Sequence, residues 1–96
     1  MNTEPTTIID EGAAAVPLPQ PLLLDDGGGA IHWTWGEANP DRWQLEQLSS
    51  IWSVVALIPG ATLSASGVAT GLQTRVCGIN ASGNRVTGYS NVITPA

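Results

Sequence analysis

Residues 71–95 read GLQTRVCGINASGNRVTGYSNVITP, and this stretch decides the fold class. Apolar runs at 72–79 and 89–93 are separated by a segment carrying Asn80, Ser82, Gly83, Asn84 and Gly88. β-prone runs bounded by Gly and Asn mark a strand, a polar turn and a returning strand. Working back from it, residues 30–35 alternate, with Ile31, Trp33 and Trp35 on one face and His32 and Thr34 on the other. That period of two predicts a half-buried strand. Residues 36–41 predict a turn, and Trp43, Leu45 and Gln47 mark the inner face of the next strand. Ser49-Ser50 breaks the run, residues 51–58 form another strand, Pro59-Gly60 turns it, and residues 61–66 read as a short strand ending at Gly67-Val68.

Before these lies VPLPQPLLL at 16–24, with Pro17, Pro19 and Pro21 at a period of two. In an extended strand the three missing N–H donors fall on one edge, so this segment predicts an outermost first strand with Val16, Leu18, Gln20 and Leu22 pairing inward. A polyproline II arm is the competing reading. Asp25-Asp26-Gly27-Gly28-Gly29 predicts the turn that follows.

The pattern Arg75-Val76, then Gly78-Ile79-Asn80-Ala81-Ser82-Gly83, closed by Tyr89-Ser90-Asn91-Val92, resembles the last two strands of a fibronectin type III module. Ile31 and Trp33 resemble its second strand, Trp43 the inward aromatic of its third, and Gly67-Val68 the Gly-Leu before its cross-sheet loop. The resemblance covers roughly residues 17–96. It implies an all-β, seven-stranded antiparallel two-sheet sandwich of the fibronectin type III or immunoglobulin-like kind, in residues 16–96, behind an extended N-terminal arm at 1–15. Trp33, Leu45 and Val76 are then expected among the most buried residues. The family's tyrosine corner is missing, because Leu72 stands where its Tyr belongs. The turn at 81–88 carries no Arg-Gly-Asp, so integrin binding is not implied.

Ninety-six residues make one domain with a thin core. Four Trp and no Phe leave the indoles to supply much of its large apolar surface. A single Cys77 rules out an internal disulfide, and no span approaches membrane length. The net charge of −5 is uneven. Glu4, Asp10, Glu11, Asp25 and Asp26 precede residue 31 without a basic partner, whereas Glu37, Asp41 and Glu46 are balanced by Arg42, Arg75 and Arg85. With no Lys anywhere, the basic footprint needed for nucleic acid or an anionic membrane surface is missing, and neither is an expected partner.

Candidate chemistry is sparse. Strand parity points the lone His32 outward, and Cys77 faces away from the Leu72, Thr74, Val76 register with nothing to activate its thiol. Glu37 and Glu46 serve a glycosidase mechanism only if folded to the right separation. Asp25-Asp26 lacks the alternating oxygen ligands of a calcium loop, and no spacing typical of zinc occurs. The expectation is therefore no catalytic residues, no metal and no cofactor. Exposed Trp on a sandwich can stack on sugars, but Trp33, Trp35 and Trp43 are expected inside. Trp52 lies in a run that is apolar on both faces, as for a strand covered by a neighbour, and is the natural anchor for a partner.

Two functional readings remain. The first is a non-enzymatic structural or interaction protein packed into a large assembly. Its acidic, small-residue arm reads as a disordered tail on composition, or as a segment held by another chain. In the second case Thr6, Thr7, Ile8 and Ile9 form a β-prone island able to add a strand to a partner's sheet. With no secretory signal pattern after Met1 and a free thiol suited to the cytosol, the chain reads as a complete small gene product. A sandwich of a usually extracellular kind that is made in the cytosol fits a bacteriophage virion protein, assembled in the host cytoplasm and decorating the capsid or another exposed part of the particle. Its partners are then capsid or tail proteins and copies of itself. The second reading is a carbohydrate-binding or adhesion module of a bacterial surface or secreted protein, with weak glycan binding.

Overall fold

The computed structural model describes residues 18–96, and within them the chain is all-β with no helix. Six strands follow in order: β1 Leu22–Gly27, β2 Ala30–Thr34, β3 Arg42–Leu48, β4 Trp52–Pro59, β5 Ser64–Ala65 and β6 Thr74–Ile79. They form two three-stranded antiparallel sheets, ordered β1-β2-β5 and β4-β3-β6. The core lies between the sheets, where Leu23, Ile31 and Trp33 of one meet Trp43, Leu45, Ile58 and Val76 of the other.

Trp43 is fully buried and central to this core. Its ring meets Trp33 edge-on at 5.8 Å and Trp35 edge-on at 5.5 Å. Such T-shaped pairs contribute about 0.5–1.5 kcal/mol each beyond the area they bury. Its Nε1 donates to the Gly60 carbonyl at 3.0 Å, fixing the turn after β4. Only glycine fits there, since a Cβ on residue 60 would stand 1.8 Å from the Pro40 carbonyl oxygen. Trp33, Leu45 and Val76 are buried as expected. Trp35 is only half-buried, because β2 ends at Thr34 and the ring caps the end of the core.

The expected proline strand is displaced. Residues 18–21 are not a strand, and β1 begins at Leu22 and runs through Asp25 and Asp26 to a turn at Gly28 and Gly29. Leu18, Gln20 and Leu22 face outward, and Pro21 and Leu23 are the inward residues. Prolines cannot donate to a ladder, so this segment binds through a carbonyl: Gly88 N–H donates to Pro19 O at 2.8 Å.

The last expected strand, residues 89–93, is also not regular. It runs beside β6 through a bridge at Thr74 and Ile93 and a bond from Ser90 N–H to the Val76 carbonyl. Side chains replace part of the ladder, since Ser90 Oγ accepts from Val76 N–H at 2.9 Å and Thr87 Oγ1 accepts from Gly78 N–H at 2.8 Å.

A side-chain network holds the loop before β6. The buried Gln47 donates through Nε2 to the Ala69 carbonyl at 2.8 Å and to Thr74 Oγ1 at 3.1 Å. Thr74 Oγ1 in turn donates to the Leu72 carbonyl at 2.9 Å. These bonds tie β3, the loop and β6 together without a phenol.

The two core indoles give a sharp test. Trp33→Ala should destabilise by about 3–5 kcal/mol. Trp33 Nε1 is buried with no hydrogen-bond partner, whereas Trp43→Phe also strands the Gly60 carbonyl. In urea unfolding Trp43→Phe should therefore cost about 1–3 kcal/mol more than Trp33→Phe. Equal losses would mean that the Gly60 bond contributes nothing.

Candidate partner-binding surface

Alternation puts Trp43, Leu45, Thr74 and Val76 in the core and therefore turns Gln44, Glu46, Arg75 and Cys77 to the other face of the β4-β3-β6 sheet. Register places Glu46 beside Arg75 on one side and beside Val54 on the other. The Glu46 carboxylate is nearly inaccessible, and both its oxygens are bonded. Oε1 accepts from Arg75 Nε at 2.8 Å and Nη2 at 2.7 Å, and Oε2 accepts from Gln44 Nε2 at 2.6 Å. A charge so shielded from water is tolerable only with its partners in place.

The Arg75 guanidinium lies between two aromatic rings, 4.1 Å from the Trp52 centroid and 3.7 Å from that of Tyr89. Arg85 adds a further layer at 4.6 Å from Tyr89, and its Nη1 donates to the Thr87 carbonyl at 2.9 Å. The order Trp52, Arg75, Tyr89, Arg85 thus runs across the sheet from β4 to the segment beside β6. Contacts of this kind contribute about 0.5–1 kcal/mol when exposed and about 2 when desolvated. Glu46 fixes Arg75, and Arg75 fixes the two rings, so the stack is set before any partner arrives.

Beside it stands β4, which pairs with β3 along one edge and with no strand along the other among the described residues. Ile51, Val54, Val55 and Leu57 are all half or more exposed. No charged residue occurs anywhere from 47 to 74. Edge strands usually carry Lys, Pro or an inward charge that discourages pairing; here only Pro59, at the strand's end, plays that part.

Of the expected site residues, Trp52 falls on this face, half-buried under Arg75. Thr6, Thr7, Ile8 and Ile9 lie outside the described residues, as does the rest of the arm. Strand alternation told Trp33 and Trp43 apart from the surface, but the partners of Trp52 were not foreseen. Arg75 and Tyr89 are distant in sequence, and only the outward parity of Arg75 next to Val76 hinted at the stack.

The other candidate groups are dispersed. His32 sits 2.8 Å from Asp26 on an exposed surface, where such a pair contributes little. Glu37 lines a cleft of about 340 Å³ with Pro19, Trp35 and Pro40, whereas Glu46 is closed in by Arg75 and Gln44. Among the described residues no three His, Cys, Asp or Glu come together as a metal site. Of the two half-buried indoles, Trp35 packs on Trp43 and donates to the Ala38 carbonyl, and Trp52 is covered on one side by a guanidinium.

Cys77 is buried, and burial, reinforced by the Glu46 charge and partly offset by Arg85 and Arg75, pushes its pKa up to about 11. The protonated thiol is a poor nucleophile.

Comparison with protein-family models, curated proteins and solved structures finds no match for the chain.

Two predictions follow from this face. Arg75→Ala should cost about 3–5 kcal/mol by leaving Glu46 buried and unpaired, and Glu46→Gln in the same chain should recover much of it. A loss in Arg75→Ala below 1 kcal/mol in calorimetry, about the worth of a surface pair, would contradict the shielding of Glu46. For Cys77 the sign is set by a folded pKa above the ordinary 9.0. Its contribution is intact below pH 9 and is lost between about pH 9 and 11, where the unfolded chain ionises first. A Cys77→Ala variant should lack that part of the alkaline fall in stability; identical pH profiles would contradict the thiol's burial.

Proposed function

We propose that the chain is a fibronectin type III-like sandwich serving as a non-enzymatic interaction protein of a large assembly. Its place in that proposal is a bacteriophage virion, where it decorates the capsid or another exposed part and is docked through its N-terminal arm. The observation that carries the interaction role is the outer face of the β4-β3-β6 sheet. A preformed Trp52-Arg75-Tyr89-Arg85 stack borders an uncharged strand with three exposed apolar side chains, Val54, Val55 and Leu57, and a fourth, Ile51, just before it. Trp, Tyr and Arg are the residues in which binding energy concentrates, and contiguous exposed apolar surface marks interaction sites.

The family resemblance is supported by the strand order β1-β2-β5 and β4-β3-β6, the order of the first, second and fifth strands against the third, its neighbour and the sixth in such sandwiches. The irregular segment at 85–93 runs beside β6 through two isolated bridges, which is compatible with a seventh strand in the proposed sandwich. The virion setting is supported by the charge pattern. Residues 31–96 balance three acids with three Arg and contain no Lys, so copies can crowd on a particle with little mutual repulsion while the acidic arm meets a basic shell. Many weak contacts then add through multivalency.

Mass spectrometry of purified phage particles from the source strain should find the protein in many copies per particle. Its absence from particles, with recovery on cell-wall polysaccharide, would replace this reading with the carbohydrate-binding one.

A further inference from the structure

Among the described residues the uncovered edge of β4 and the start of the chain lie on opposite sides of β3 and β6. From β4 the order runs through β3 and β6 to the segment at 85–93, and Pro19 is bonded to Gly88 of that segment. The described chain therefore begins away from the exposed strand. We infer that residues Thr6 to Ile9 of one copy pair with the β4 edge of a second copy, linking the molecules head to tail. This rests on the arm-docking role proposed above and names its partner as the chain itself.

Three observations choose this occupant. First, β4 is interrupted: opposite Leu45 and Glu46 the register jumps from Ala56 to Val54, leaving Val55 as a bulge. A bulge bends the strand, so two β4 strands cannot pair along their length, but either half, 52–54 or 56–59, accepts a short segment. The island Thr6-Thr7-Ile8-Ile9 is such a segment, bounded by Pro5 and Asp10.

Second, the charges are compatible. Glu4, Asp10 and Glu11 flank the island, the edge strand carries no acid to repel them, and Arg42 lies on β3 directly opposite Pro59 of β4. Arg42 has no carboxylate partner among the described residues.

Third, the length suffices. Residues 10–17 span up to about 28 Å when extended, several strand spacings of about 4.8 Å. Backbone bonds to the edge supply the affinity and the exposed Val54, Val55 and Leu57 the side-chain contacts, as in strand addition generally. Donor and acceptor on opposite margins make the contact heterologous, which closes into a ring or continues as a chain.

The experiment is complementation between two full-length variants, followed by sedimentation velocity. Ile8→Pro spoils the donor and leaves the acceptor; Val55→Lys with Leu57→Lys spoils the acceptor and leaves the donor. Val55 and Leu57 are exposed on β4, and circular dichroism of both variants should match wild type. Wild type should form concentration-dependent species beyond a dimer, each variant alone should be monomeric, and their mixture should give a 1:1 pair that grows no further.

Hydrogen exchange on an unaltered acceptor provides a second readout: amides within residues 52–59 should lose at least tenfold protection in Ile8→Pro at concentrations where wild type assembles. A monomeric wild type, or Ile8→Pro that still associates through β4 alone, would overturn the inference. Neither result touches the virion reading if the protein is still found in particles.

Discussion

The fold depends on Trp43. One indole, wholly out of water, carries the edge contacts to Trp33 and Trp35 and a hydrogen bond to the Gly60 carbonyl. It thereby joins the second sheet to the first and fixes the turn that releases β4. A domain this small buries little surface per residue, and with no Phe in the chain the indoles replace a larger aliphatic core. The Pro40 carbonyl excludes any side chain at residue 60, so the geometry around Trp43 has little room to adjust.

That inner constraint sets the outer face. Because Trp43 and Leu45 point inward, Gln44 and Glu46 point outward, and the cross-strand register brings Arg75 against Glu46. A shielded carboxylate holds the guanidinium, and the guanidinium holds Trp52 and Tyr89. The outer face is consequently fixed along β3 and β6, so a partner that docked there, as proposed, would cost it little side-chain entropy. The neighbouring β4 adds exposed apolar side chains and a backbone edge that no other strand pairs with among the described residues.

Much of this was legible in the sequence. The alternation of Ile31, Trp33 and Trp35, and of Trp43, Leu45 and Gln47, gave the sheets, because a half-buried strand must repeat every second residue. The proline segment misled, since its period of two satisfies the geometry of a strand edge without supplying N–H groups for a ladder. The strand at 89–93 misled differently: Ser90 and Thr87 side chains take bonds that backbone would make in a regular pair. Trp52 stood out because its run is apolar on both faces. The stack above it was not legible, because residues at 46, 52, 75, 85 and 89 meet only once the register is set. The network of Gln47 and Thr74 that holds the loop before β6 was hidden for the same reason.

The central claim is that Trp43 ties the sheets together and everything outside follows from its placement. Hydrogen exchange of the four indole N–H groups, resolved by NMR, tests it most directly. The Trp43 proton, buried and bonded to Gly60, should exchange only through global unfolding, with a free energy equal to that from urea denaturation. Exchange of Trp43 at the rate of the half-exposed Trp52 indole would contradict the account.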